Sequence, residues 1–146
     1  MKYIFDFDDV LFETTPKFKE RLLNIQNKHQ DSYEELMKES PNFINKDILK
    51  IIKKNGKENC YLETYGDKDF QEEKITRSGV AGLFSEIFIV QTSKKNVVEK
   101  ICAQFPDEAV FFIDDKAEHF ADLDFQKYPN LKTILYTGQD LGPYLQ

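Results

Sequence analysis

Short runs of strand-forming residues alternate with stretches of helical spacing along this chain, and no other feature restricts its fold as much. Tyr3-Ile4-Phe5 is the first run; Cys60-Tyr61-Leu62-Glu63-Thr64, Glu86-Ile87-Phe88-Ile89-Val90, Ala109-Val110-Phe111-Phe112-Ile113 and Lys132-Thr133-Ile134-Leu135-Tyr136 follow. Between the later runs, apolar spacing and breakers predict helices over about Asp69–Arg77, Lys94–Phe105 and Glu118–Asp124. Strand, helix and strand in repetition build a parallel sheet with helices on both faces, so the expected class is a Rossmann-like α/β fold. One interval breaks the rhythm. From Glu13 to Lys57 three helices are expected: from Thr14 or Thr15 with Pro16 to about His29, from Asp31-Ser32 to just before Pro41, and through Ile44, Ile48, Leu49, Ile51 and Ile52 to Asn55-Gly56. Residues 1–12 and 58–146 then form one core and residues 13–57 a small helical insertion. A chain of 146 residues is long enough to bury such a core without disulfides.

Ligands of an open parallel sheet gather outside the carboxyl ends of its strands. Those ends here carry Asp6, Asp8 and Asp9 after the first run and Thr64 after the second. Thr92, Ser93, Lys94 and Lys95 follow the third, and Asp114 and Asp115 the fourth. Grouped carboxylates repel one another and are costly to desolvate, so a fold that collects them usually compensates with a cation or a proton transfer. A metal site is the first hypothesis. The net charge of −6 gives no global basic field for nucleic acid or anionic lipid. Cys60 and Cys102 are the two cysteines; without a CxxC or histidines at ligand spacing they read as buried thiols.

In this order the motifs resemble those of the haloacid dehalogenase (HAD) superfamily, mostly magnesium-dependent phosphatases and phosphotransferases. DFDDVL resembles the first acidic motif, YLETYG the strand ending in Ser or Thr, a lysine at a helix start the third, and FFIDD the acidic strand end. The resemblance covers most of the chain outside Glu13 to Lys57. It implies a HAD-type core with a helical cap, with Asp6 as nucleophile and Asp8 as general acid and then base. Thr64 and a lysine would hold the phosphoryl group. Mg²⁺ would be held by Asp6, by Asp8 through its backbone carbonyl, and by Asp115 with help from Asp114. The resemblance prefers Lys94 to Lys95, because Val97 and Val98 three and four positions on give it the register in which family members usually carry the lysine, whereas Lys95 sits one step round. Two features depart from the pattern. His119 stands where many members carry a further Asp, and the insertion is short for a cap.

Each residue also has a plainer reading. An acidic strand end is often a turn or a helix cap, Thr64 a hydroxyl bonded to its own backbone, Lys94 and Lys95 solvated charges, and His119 a surface or helix-face residue. Their conjunction at successive strand ends favours one pocket. The implied function is a Mg²⁺-dependent phosphatase acting on a small phosphorylated metabolite. A receiver-like phospho-signalling module and a catalytically silent HAD-fold binding protein are the alternatives; a receiver would end its third strand in the phosphoacceptor Asp, whereas Val90-Gln91-Thr92 stands there. The chain opens on its first strand and has no apolar run near the roughly 18 residues of a membrane span, so cytoplasmic residence is expected. Asp6→Asn is expected to leave the fold intact, on the view that the first strand buries its apolar residues and not this carboxylate.

Overall fold

A computed structural model describes residues 1–26 and 30–145. Among these residues one five-stranded sheet forms, with β1 (Lys2–Phe5), β2 (Cys60–Tyr65), β3 (Glu86–Val90), β4 (Val110–Asp114) and β5 (Leu131–Leu135) in the order β3-β2-β1-β4-β5. Every pairing is parallel; Phe5 lies opposite Leu62 on one side and Ile113 on the other. The expected Rossmann-like α/β class is what forms. The chain leaves β1 in one direction for β2 and β3, then returns to build β4 and β5 on the other side. That reversal opens a crevice at the carboxyl end of β1. The order also differs from the 2-1-3-4-5 arrangement of receiver-type folds.

Side chains alternate across the strands and divide the apolar interior in two. On one face Tyr3, Phe5, Leu62, Phe111 and Ile113 pack with Ile75 of α4 (Lys68–Ser78) and with Ile48 and Ile52 of α3 (Lys46–Asn55). On the other, Ile4, Tyr61, Val110 and Phe112 pack with Val98, Ile101 and Cys102 of α5 (Lys95–Gln104). Both cysteines are buried and free.

Between β1 and β2 come a π-helical turn at Thr14–Phe18, α1 (Lys19–Gln26), α2 (Gln30–Lys38), a 3-10 turn at Ser40–Phe43 and α3. The end expected for the first helix, near His29, lies outside the described residues. Phe18, Leu36, Met37 and Phe43 join the same apolar cluster as the α4 face of the sheet. Ile44, expected within the third helix, is extended and bridges Phe12; α3 begins after Asn45, whose Oδ1 accepts from the backbone N–H groups of Asp47 and Ile48. The helix expected over Glu118–Asp124 is only a 3-10 turn at Ala117–Phe120. Asp124 Oδ1 accepts from the Lys127 N–H at 3.0 Å instead, the local side-chain bonding by which Asp competes with helix. No described helix is long and apolar enough to cross a membrane.

Candidate active site

The crevice beyond β1 holds two buried lysines, one reached from each face of the sheet. On the α5 side, Lys94 precedes the helix and is 1% exposed. Its Nζ donates to Asp6 Oδ1 at 2.8 Å and to Asp114 Oδ2 at 2.7 Å. Asp6 and Asp114 reach it because even-numbered residues of β1 and β4, such as Ile4 and Phe112, face α5. Lys95 is half-buried and one step round, and its backbone N–H bonds Ser93 Oγ. Of the two candidate lysines, Lys94 therefore stands against the acids.

His119 is no free surface residue. The 3-10 turn after β4 brings its Nδ1 within 2.8 Å of Asp114 Oδ2, the oxygen that also accepts from Lys94. Asp115 lies at the mouth, and one oxygen each from Asp6, Asp114 and Asp115 fall within 4.8 Å of one another. Three carboxylates at that spacing fit a divalent cation. Their crowding shows in their protonation. Burial foremost, opposed by Lys94 and reinforced by Asp114 and Asp115, holds the Asp6 carboxyl well above the ordinary carboxylate range. Burial also raises Asp115, with repulsion from Asp114 and Asp9, against a hydrogen bond with Asp6. For Asp114 burial is outweighed by Lys94, His119 and the Lys116 N–H, so its carboxyl falls below the usual value. Asp6 itself is 5% exposed, which corrects the expectation that the first strand leaves this carboxylate unburied.

On the α4 side stands Asp8. Its Oδ1 accepts from Lys74 Nζ at 2.7 Å and Thr14 Oγ1 at 2.5 Å, and its Oδ2 from Gln71 Nε2 at 2.7 Å. Burial works to raise this carboxyl, yet Lys74 and the donated hydrogen bonds hold it below the usual value. Thr64 is fully buried, and its Oγ1 accepts from the same Gln71 nitrogen at 2.6 Å. Asp9 has φ +61°, a left-handed conformation Asp tolerates better than most residues, and accepts from Thr15 N and Oγ1 at 2.7 and 2.6 Å at the start of the insertion.

Asp6, Asp8, Thr64, Lys94, Asp114 and Asp115 are thus gathered at one crevice; the Asp8 carboxylate lies outside the three-acid cluster. A cavity of about 430 Å³ opens over it, with Lys19, Tyr65, Phe70 and Lys116 on its wall. Sequence reasoning missed Gln71 and Lys74. The available signal was the α4 face itself: Gln71, Lys74, Ile75 and Ser78 recur at helical spacing and are all buried, yet only Ile75 is apolar.

No protein-family model matches the chain, and no curated protein does so significantly. Solved structures do. A haloacid dehalogenase-like hydrolase from Burkholderia xenovorans LB400 aligns at TM-score 0.65 and 15% identity over 90% of this chain and 79% of its own. A hydrolase from Streptococcus pneumoniae TIGR4 aligns at 0.58 and 16% over 93% and 92%. A magnesium-bound HAD-hydrolase from Bacillus subtilis aligns at 0.50 and 15% over 90% and 84%. At such identity the likeness is one of fold.

Proposed function

We propose that this chain, which has the fold of haloacid dehalogenase-like hydrolases, is a hydrolase that uses a divalent cation, Mg²⁺, to cleave small soluble phosphomonoesters through an aspartyl phosphate. The observation that carries the reading is the separation of its two carboxylates. Asp6 sits with Lys94 beside two further acids, while Asp8 is held apart by donors of its own. Two carboxyls kept in unlike surroundings suit two unlike tasks. A cation held by Asp6, Asp114, Asp115 and the Asp8 carbonyl would offset the repulsion between a carboxylate and an anionic phosphate.

The chain's residues supply the rest. An Asp6 carboxylate oxygen attacks phosphorus while the bond from phosphorus to the ester oxygen breaks. Asp8, ionised in the free site, takes the proton carried by the monoprotonated phosphate and passes it to the departing oxygen, which leaves as an alcohol. A water oxygen then attacks phosphorus, Asp8 removes its proton, the bond between the Asp6 oxygen and phosphorus breaks, and Asp8 gives the proton up with the released phosphate, which leaves it ionised again. Lys94 and Thr64 steady the phosphoryl oxygens, since phosphoryl transfer depends chiefly on positioning and electrostatics. A cavity of about 430 Å³ fits a small metabolite.

Steady-state hydrolysis of p-nitrophenyl phosphate with and without Mg²⁺ tests this. Turnover is expected only with metal, and it is expected to vanish in Asp6→Asn and Asp8→Asn. Equal background in all three proteins would sink the reading. Acyl-phosphate trapping adds a direct check, with labelling expected in the natural chain and none in Asp6→Asn.

A further inference from the structure

Lys74 occupies a place where a lysine is expensive. It is 2% exposed, on a helix whose Lys68, Glu72 and Arg77 lie outside the buried face. Its ammonium lies 4.8 to 5.7 Å from the ring centres of Phe7, Phe12, Phe18 and Phe70, and Asp8 is its ion-pair partner. Desolvating an ammonium costs several kcal/mol, and exchanging a buried ion pair for well-packed apolar residues is often neutral or stabilising. Packing alone therefore gives no reason for a lysine here. The effect of Lys74 is on Asp8.

A carboxylate offers about four lone-pair directions. On Asp8 three are taken, by Lys74 and Thr14 on Oδ1 and by Gln71 on Oδ2. One direction is left for a proton in transit. Gln71 also donates from the same nitrogen to the buried Thr64 Oγ1, so one side chain fixes Asp8 relative to the end of β2. Rotation of the carboxylate would break a charged bond on one oxygen and the link to Thr64 on the other.

We infer that Lys74 and Gln71 are positioning residues, which aim the open oxygen direction of Asp8 at the leaving-group oxygen of the ester. The inference rests on the phosphomonoesterase reading above. It makes a prediction that a merely structural role does not, because the need for an aimed proton depends on the leaving group. A nitrophenolate departs with little help, whereas an alkoxide must be protonated as it leaves.

The test compares kcat and KM on p-nitrophenyl phosphate and on glycerol 2-phosphate, with Mg²⁺, for the natural chain, Lys74→Met and Gln71→Leu. In each variant kcat/KM, which reports the step in which the leaving group departs and not the hydrolysis of the aspartyl phosphate common to both esters, is expected to fall at least about tenfold more on the alkyl ester than on the aryl ester. Gln71→Leu removes no buried charge and carries the comparison should Lys74→Met fail to unfold cooperatively. Natural protein active on both esters, with variants losing equally on both or losing nothing, overturns the inference alone. Natural protein inactive on both overturns the phosphomonoesterase reading and the inference with it.

Discussion

Glu63 brings a carboxyl into the interior of the sheet. It is fully buried on β2, it faces the α5 side as Tyr61 does, and among the described residues neither carboxyl oxygen has a hydrogen-bond partner. Burial first, with Asp114 adding and Lys94 opposing, pushes its carboxyl up to about 8 from an ordinary 4.5. The unfolded chain releases this proton near 4.5, while the folded chain keeps it to about 8. Between those values the folded state binds more protons, so stability falls as pH rises and levels off above the window. Glu63→Gln is accordingly expected to unfold at higher urea than the natural chain at about pH 9, by an amount worth roughly a few kcal/mol, and to match it near pH 4. A difference independent of pH would refute this account of Glu63. The sequence could not disclose it, because nothing in CYLETY tells which glutamate lacks a partner. The placing of Lys94 beside the acids agrees with the register in which the resembled family carries its lysine. His119 was not legible, since its reach to Asp114 depends on a tight 3-10 turn where helix was expected.

Among the elements, α3 ties the insertion to the sheet through its cap. Asn45 Oδ1 caps the helix and its Nδ2 donates to Tyr136 Oη at 2.8 Å, just past β5. Asn45→Ala is expected to lower stability by about 1–2 kcal/mol, and Asn45→Asp, which keeps the cap acceptor, by less. Urea midpoints measure both; equal losses would show that the cap contributes nothing. Strands and strand ends were readable because apolar runs of strand-forming residues are short and sharply bounded, which is why β3 begins and ends where the residues Glu86 to Val90 indicate. Helix starts were less so. Ile44 fits the apolar spacing of α3, but its bridge to Phe12 holds it extended, a tertiary contact that local pattern does not contain.

Across the whole molecule, the acids at the crevice carry a repulsion that a bound cation would relieve. Mg²⁺ at about ten times its Kd is expected to add roughly 1.4 kcal/mol to the stability of the natural chain, and so raise its melting midpoint by about 3–5 °C. Asp115→Asn, which removes one of the three clustered carboxylates, is expected to lose most of that shift. A full shift in the variant would place the ion elsewhere.

The aromatic cluster around Lys74 has a further consequence for traffic. Phe18 of the insertion packs edge-on against Phe12 at 5.2 Å and also touches Phe43 and Phe70. Pulling the insertion aside would part Phe18 from Phe12 and Phe70, at roughly 0.5–1.5 kcal/mol for each aromatic pair, and strip part of the sheath from a buried ammonium. These contacts favour a rim that keeps its place, and a compound bound in the crevice would then be selected as by a sieve, by what passes that rim.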